Sequence, residues 1–347
     1  MSLTFVRSFF NLTYTSEHCR RGQLIDISFS ATTTMGLVNS VGSRAMRPPN
    51  PPSYGLEADG DGWRFTSPPL DYGCAAWSPQ NNYANGCPIG FPGARKARSS
   101  HLAHTVTKRR SAETGRDIAL LRVYSTEPSA ARPTLLYSKG NSFDMGMLRY
   151  HCVQLAQLLD VDVVYYDYGG YGASSGAPSA AGTVADAKVA ADYVEELGVP
   201  WSRVILYGFS LGNGPTCALA GDVLRGRGLR GVILRSGFVS GVAAGTDLVQ
   251  RYAASYVPAG ALPSWMDVWP NEKRCADFDA PTLVVHGSRD ELLSMWHAER
   301  LLAALPEGRR AAPFFEDMGH FDVERHPAYV PRLRTFIHGE TAKAPAA

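Results

Sequence analysis

From Ser111 onward the sequence alternates short apolar runs with helix-length segments, and this alternation narrows the fold more than any other feature. The runs are Ile118-Ala119-Leu120-Leu121, Thr134-Leu135-Leu136-Tyr137, Val161-Asp162-Val163-Val164-Tyr165-Tyr166, Val204-Ile205-Leu206-Tyr207, Val232-Ile233-Leu234 and Thr282-Leu283-Val284-Val285. Most are rich in β-branched residues and bounded by Gly, Pro or charge, which suits strands buried on both faces of a parallel sheet. A last short strand is expected at Pro313-Phe314-Phe315. Candidate helices lie near 144–159, 182–197, 211–226, 293–305 and 326–337. Strand and helix in turn imply βαβ units, hence an α/β fold with a mostly parallel, doubly wound sheet.

Upstream the texture differs. Residues 1–47 lack sustained periodicity and read as a flexible N-terminal extension. Residues 48–110 are rich in Pro, Gly and Asn and read as an irregular segment packed on the domain, which itself spans 111–340; 341–347 is a tail. The formal charge of +2 gives no reason to expect a nucleic-acid partner. The local basic runs Arg95-Lys96-Ala97-Arg98 and Lys108-Arg109-Arg110 read as solvated loops. Six cysteines, Cys19, Cys74, Cys87, Cys152, Cys217 and Cys275, are scattered without CxxC spacing. They suggest neither a metal site nor a disulfide framework, and a reducing, cytoplasmic setting is the simplest expectation. No window approaches the ~18 apolar residues of a membrane span. The opening residues, with Arg7 and no acidic residue before Glu17, carry at most a compositional hint of organellar targeting.

G-x-S-x-G occurs at Gly208-Phe209-Ser210-Leu211-Gly212 and at Gly172-Ala173-Ser174-Ser175-Gly176. With Gly at 34 positions, chance supplies roughly 0.3 matches in such a chain, so context must decide. A nucleophile elbow needs a strand directly before the serine and a helix directly after it. The first site has both, because Arg203-Val204-Ile205-Leu206-Tyr207 runs straight into Gly208. A helix can follow from Asn213, with Pro215 tolerated in its first turn. The second site has five residues between its strand and Gly172, then a turn at Ala177-Pro178-Ser179. Ser210 is therefore the candidate nucleophile, and Ser174 reads as a structural loop serine.

In a fold with such an elbow, the α/β-hydrolase fold, acid and base follow in the chain order Ser, acid, His on loops after later strands. Asp290, in Gly287-Ser288-Arg289-Asp290-Glu291, is the candidate acid and Glu291 the alternative. His320, after the last strand and behind Gly319, is the candidate base. His286 should buttress the acid loop, whereas His297 and His326 fall on predicted helices as solvated or capping groups. The oxyanion hole needs two backbone N–H donors. Leu211 supplies one. In Ser138-Lys139-Gly140-Asn141-Ser142, Asn141 N–H is the first candidate for the other and Ser142 the second. No metal or organic cofactor is called for.

From Leu135 to about Ile337 these motifs resemble the alpha/beta-hydrolase domain-containing protein 17 family, and more loosely the Bem46-like and serine aminopeptidase-type hydrolases. The resemblance is carried by Tyr137-Ser138-Lys139-Gly140-Asn141, the loop from Tyr166 to Gly176, the elbow through Thr216, Trp269-Pro270-Asn271, His286 to Glu291, and Gly319-His320-Phe321-Asp322-Val323-Glu324. The Pro48-Pro49-Asn50-Pro51-Pro52-Ser53-Tyr54 stretch is similar too. The family resemblance implies a serine hydrolase that removes palmitate from cysteines of membrane-associated proteins. The chain departs from the family in two places. Lys139 stands where the family has histidine, adding a charge beside the oxyanion loop. The family's acylated N-terminal cysteine cluster is matched only by Cys19, and one acyl chain gives marginal membrane attachment.

The segment 237–280 should form a small cap. Its Phe238, Tyr252, Tyr256, Trp265 and Trp269 could receive an acyl chain or simply pack. Ser142, Phe143, Phe238 and Trp265 are the candidate substrate contacts. The partners expected are an acylated protein or a small acyl substrate, with peripheral membrane contact as an implication of the resemblance. Three readings stay open: a thioesterase acting on S-acylated proteins, an esterase, lipase or peptidase of the same fold, and a non-catalytic binding scaffold.

Overall fold

The computed structural model describes residues 46–60, 62–66, 102–127, 129, 131–253 and 267–341. Its described strands form one sheet in the order β1-β2-β3-β4-β6-β5-β7-β8-β9-β10. The central strands are β5 (Thr134–Ser138), β6 (Asp162–Tyr166), β7 (Val204–Phe209), β8 (Gly231–Arg235), β9 (Thr282–Gly287) and β10 (Phe314–Glu316), and all their pairings are parallel. β4 (Asp117–Ser125) lies antiparallel to β6. Alternate residues of the parallel strands enter opposite cores. Leu135, Val163, Ile205, Ile233 and Leu283 pack on one face, and Leu136, Val164, Leu206, Leu234 and Val284 on the other. Two covered faces explain why these strands read as unbroken apolar runs.

α1 (Met145–Leu159) and α7 (Tyr329–Arg334) cover the first face through Leu148, Leu155 and Leu333. α2 (Ala180–Glu196), α3 (Asn213–Ala218) and α6 (Met295–Ala304) cover the second through Ala187, Val194, Cys217 and Leu301. Asp144 caps α1 by accepting from Met147 N–H, and Ser179 caps α2 by accepting from Gly182 N–H. The cap region holds α4 (Gly241–Ala253) and α5 (Asn271–Cys275). β5 sends the chain to β6 on one side, and β7 returns on the other. The ends of β5 and β7 thus meet at the topological switch point, where α/β sheets place their sites.

Three expectations about the elements need correction. The stretch 48–110 is not wholly irregular: β1 (Leu56–Asp59), β2 (Gly62–Phe65) and β3 (Leu102–Arg110) extend the sheet antiparallel to β4. Lys108-Arg109-Arg110 is strand, with the Lys108 ammonium 4.4 Å from the Trp63 ring centre and Arg109 paired to Glu196 at 2.8 Å. These strands leave one face partly exposed, so polar residues interrupt the apolar signal. The helix expected at 211–226 is also shorter, with α3 ending at Ala218 and a π-turn running over Leu219–Val223. Residues 1–45 and 342–347 lie outside the described residues, as do Trp265 and Tyr256.

Candidate active site

β7 ends at Phe209, and Ser210 takes φ +51° before a 3-10 turn leads into α3. A non-glycine residue in that region is strained, and the surrounding contacts must hold it. Asn213 does part of this, its amide donating to the carbonyls of Ser210 and Arg235, both at 2.9 Å. The motif glycines permit close approach. A Cβ on Gly208 would sit 2.8 Å from Thr216 Oγ1 and 3.0 Å from the Asn213 backbone; one on Gly212 would lie 2.0 Å from the Ser138 carbonyl oxygen. Gly212→Ala should therefore force the loop after β5 and the elbow apart. The expected result is a stability loss above the ~1–3 kcal/mol of ordinary overpacking, read from urea unfolding, with activity falling in parallel.

His320 reaches this serine from the loop after β10. Its Nε2 lies 3.0 Å from Ser210 Oγ, and its Nδ1 lies 2.7 Å from Asp290 Oδ2. The ring is buried between Phe209 and Phe321, at centroid distances of 5.5 and 4.8 Å. Asp290 Oδ1 accepts from the N–H groups of Leu292 and Leu293, both at 2.8 Å. His286 Nε2 lies 3.4 Å from Asp290 Oδ2, so this histidine does pack against the acid. Burial pushes the Asp290 carboxyl upward, but the His320 imidazole and its hydrogen bond, with His286 and the Leu293 N–H, outweigh it and hold the group below its ordinary value. Glu291 takes another part: its Oε2 accepts from His320 N–H at 3.0 Å, steadying the backbone of the histidine loop.

The loop after β5 lies against the elbow, since a Cβ on Gly140 would sit 2.9 Å from the Phe209 ring and 3.6 Å from Ser210 Cβ. Leu211 follows Ser210 in the opening turn of the helix, where N–H groups lack intrahelical partners. The side chain of Asn141 turns inward, its Oδ1 accepting from Arg47 N–H at 2.9 Å and from Tyr171 O–H at 2.7 Å. Ser142 N–H donates to that same oxygen at 3.0 Å. This corrects the second candidate donor, because that N–H is already committed to an internal bond.

The remaining candidates are dispersed. Phe143 is buried near Phe209 and Phe321, at centroid distances of 6.5 and 6.4 Å. Phe238 packs edge-on against Trp269 in the cap. Ser174 is structural: its Oγ accepts from Ala119 N–H and donates to the Asp167 carbonyl. His297 corrects its expectation as a solvated or capping group. It is fully buried, with Nδ1 accepting from Val239 N–H at 3.3 Å and Nε2 3.5 Å from Asp247 Oδ2. His326 is half-buried, just before α7, and 3.6 Å from Glu316.

Three buried polar arrangements near the site lie beyond the Ser210, His320 and Asp290 side chains. Arg235 pairs with Glu324 at 2.6 Å, both fully buried. Asp247 on α4 accepts from Ser294 N–H at 2.8 Å and from its Oγ, tying the cap to the acid loop. Lys139 is fully buried in a box of Tyr168, Tyr171 and Asp167. Glu324 lies in a stretch whose sequence signalled its importance, but no spacing links it to Arg235.

No family model matches the chain. It is 34% identical over 211 residues to the alpha/beta hydrolase domain-containing protein aho-3 of Caenorhabditis elegans, covering 60% of this chain and 58% of that protein. It is 32% identical over 230 residues to the alpha/beta hydrolase domain-containing protein 17C of mouse, covering 65% of this chain and 66% of the relative, and equally identical to the human protein. The matched region thus spans less than two thirds of these relatives. Among solved structures, the esterase Pf2001 of Pyrococcus furiosus superposes with a TM-score of 0.53 at 13% identity, over 68% of this chain and 92% of that one. Carboxyl esterase 2 of Tuber melanosporum gives 0.53 at 16%, over 72% and 90%. These likenesses establish the α/β-hydrolase fold. Among the described residues no helix is long and apolar enough to cross a membrane.

Proposed function

We propose that this chain, an α/β-hydrolase-fold protein with sequence relatives among the alpha/beta hydrolase domain-containing 17 proteins, is a serine hydrolase that cleaves acyl thioesters or esters through an acyl-enzyme on Ser210. The observation that carries this is the continuous hydrogen-bonded line from Ser210 Oγ through the His320 ring to Asp290, at 3.0 and 2.7 Å. Those spacings suit a nucleophile, a base and a group that orients the base.

His320 Nε2 takes the hydroxyl proton as Ser210 Oγ attacks the acyl carbon. Asp290 holds Nδ1–H and so stabilises the imidazolium that forms. The negative charge gathering on the carbonyl oxygen is met by backbone N–H donors of Leu211 and the Asn141 loop. His320 then returns the proton to the departing thiol or alcohol. A water, deprotonated by the same imidazole, releases the acid and restores Ser210.

The substrate class we favour is the acyl thioester of an S-acylated protein, with peripheral contact at the membrane that carries it. The family resemblance supports this reading, as does the aromatic pair Phe238 and Trp269 in the cap. The test has two stages. A fluorophosphonate probe should label the wild-type protein and fail on Ser210→Ala. A panel of acyl thioesters, oxygen esters and amino-acyl amides of graded chain length should then be hydrolysed with long-chain thioesters leading. Preference for short esters or for amides would move the assignment to a carboxylesterase or a peptidase. An unlabelled, inactive wild type would leave a binding scaffold.

A further inference from the structure

The segment before β1 runs across the oxyanion loop and contacts it repeatedly. Arg47 N–H donates to Asn141 Oδ1 at 2.9 Å. Ser53 N–H donates to Asp144 Oδ2 at 2.7 Å, and its hydroxyl to Asp144 Oδ1. Tyr54 O–H donates to Asp167 Oδ2 at 2.6 Å, and that oxygen also accepts from Met145 N–H at 3.1 Å. The fit is close, because a Cβ on Gly146 would lie 2.3 Å from Ser53 Oγ and 3.0 Å from Tyr54 Cβ. Residues 141, 144 and 145 are thus each held by this strap or by an aspartate it binds.

Lys139 completes the arrangement from inside. Its ammonium is fully buried and has no hydrogen-bond partner among the described residues. It lies 3.8 Å from Asp167 Oδ1, and 3.6 and 4.2 Å from the ring centres of Tyr171 and Tyr168. The same two tyrosines bond the loop, Tyr171 O–H to Asn141 Oδ1 and Tyr168 O–H to the Lys139 carbonyl at 2.8 Å. Burial lowers Lys139 to about 8 despite Asp167, Asp144 and Asp186 nearby, and burial raises Asp167 to about 7 although Lys139 opposes it. Each charge is costly here without the other.

We infer that Tyr54, acting through Asp167 and Lys139, positions the oxyanion loop, so that the strap Met46–Tyr54 is a working part of the hydrolytic site. The inference rests on the reading of Ser210 as nucleophile. Tyr54 and Lys139 are positioning residues: they set where the Asn141 loop presents its backbone, without touching substrate. A strap that only held the fold together would change how much active protein survives. One that aims the oxyanion donors changes turnover at each surviving site.

The experiment compares full-length wild type, Tyr54→Phe, Lys139→Met and the double variant, with active sites counted by fluorophosphonate titration and folding followed by thermal melts. Removing one oxyanion donor costs about 10²–10³ in rate, so a misaimed loop should lower kcat per titrated site about 10–100-fold, with KM within about twofold. The double variant should be no slower than the slower single one, because both act through Asp167. A fall in kcat per site below about tenfold, a change confined to KM, or fully additive losses would overturn the positioning role while leaving Ser210 as nucleophile. If the wild type itself takes no label, the hydrolase reading falls and this inference falls with it. Should Tyr54→Phe yield no soluble protein, Lys139→Met carries the same readout alone.

Discussion

Ser210→Ala is expected to reduce kcat on the best acyl substrate by about 10⁴–10⁶-fold while leaving the melting temperature essentially unchanged. The size follows from what the hydroxyl does. Without Oγ no acyl-enzyme forms, and the remaining rate comes from binding and the oxyanion donors acting on water. Stability should hold because the strained φ of +51° is fixed by the glycine contacts and by Asn213, neither of which needs the hydroxyl. Asp290→Asn should cost about 10⁴-fold, because an amide at that position favours the wrong imidazole tautomer. Glu291→Gln should cost far less, since Glu291 meets the backbone N–H of His320 and not its ring. Steady-state kinetics on the three variants checks the ranking. Retention of more than about 1% of the wild-type rate by Ser210→Ala would remove this serine from the nucleophile's role.

Parts of this picture are legible in the amino-acid sequence because they repeat a local rule. The strand expected at 204–207 runs 204–209, and the helix expected at 293–305 runs 295–304. The strand is marked by an unbroken apolar run buried on both faces, and the helix by an apolar stripe along one side. The meeting of the serine, aspartate and histidine is legible for another reason: chain order and loop position after the parallel strands β7, β9 and β10 leave few choices. What stays illegible depends on pairing across the sequence. β3, Leu-Ala-His-Thr-Val-Thr-Lys-Arg-Arg, is polar on its open face and is defined by its full-length register with β4. The burial of Lys139 follows from aromatic and acidic residues well downstream, Asp167, Tyr168 and Tyr171, and nothing in its own neighbourhood signals it. Tyr54 lies 113 residues from the aspartate it binds. His297 resembles an ordinary helix residue because its partners, Val239 and Asp247, belong to the cap.

The largest effect on folding is expected from Glu324→Gln. Arg235 at the end of β8 and Glu324 just beyond His320 meet at 2.6 Å with no solvent exposure on either side chain. The guanidinium also lies 4.1 Å from the Phe209 ring centre, directly beneath the elbow strand. Burial alone would push Arg235 down, but Glu324 and the surrounding tyrosines Tyr207, Tyr329 and Tyr137 outweigh it and hold the charge in place. Exchanging the carboxylate for an amide preserves shape and leaves that charge uncompensated. Breaking one side of a buried pair costs about 3–5 kcal/mol, which for a domain of this size lowers the melting temperature by on the order of 10 °C. Activity should fall as well at temperatures where the protein stays folded, because the pair anchors the segment that carries His320 and Ser236 Oγ reaches the His320 carbonyl at 3.4 Å. Replacing both partners by apolar residues, Arg235→Met with Glu324→Leu, should recover most of the stability, since no unpaired charge remains. Urea and thermal unfolding of Arg235→Met, Glu324→Leu and their double variant, with Glu324→Gln measured beside them, give the coupling directly. If Glu324→Gln is within about 1 kcal/mol of wild type, the pair is not what fixes this corner of the sheet, and the orientation of His320 must then come from its other contacts, those with Asp290, Glu291, Ser236, Phe209 and Phe321.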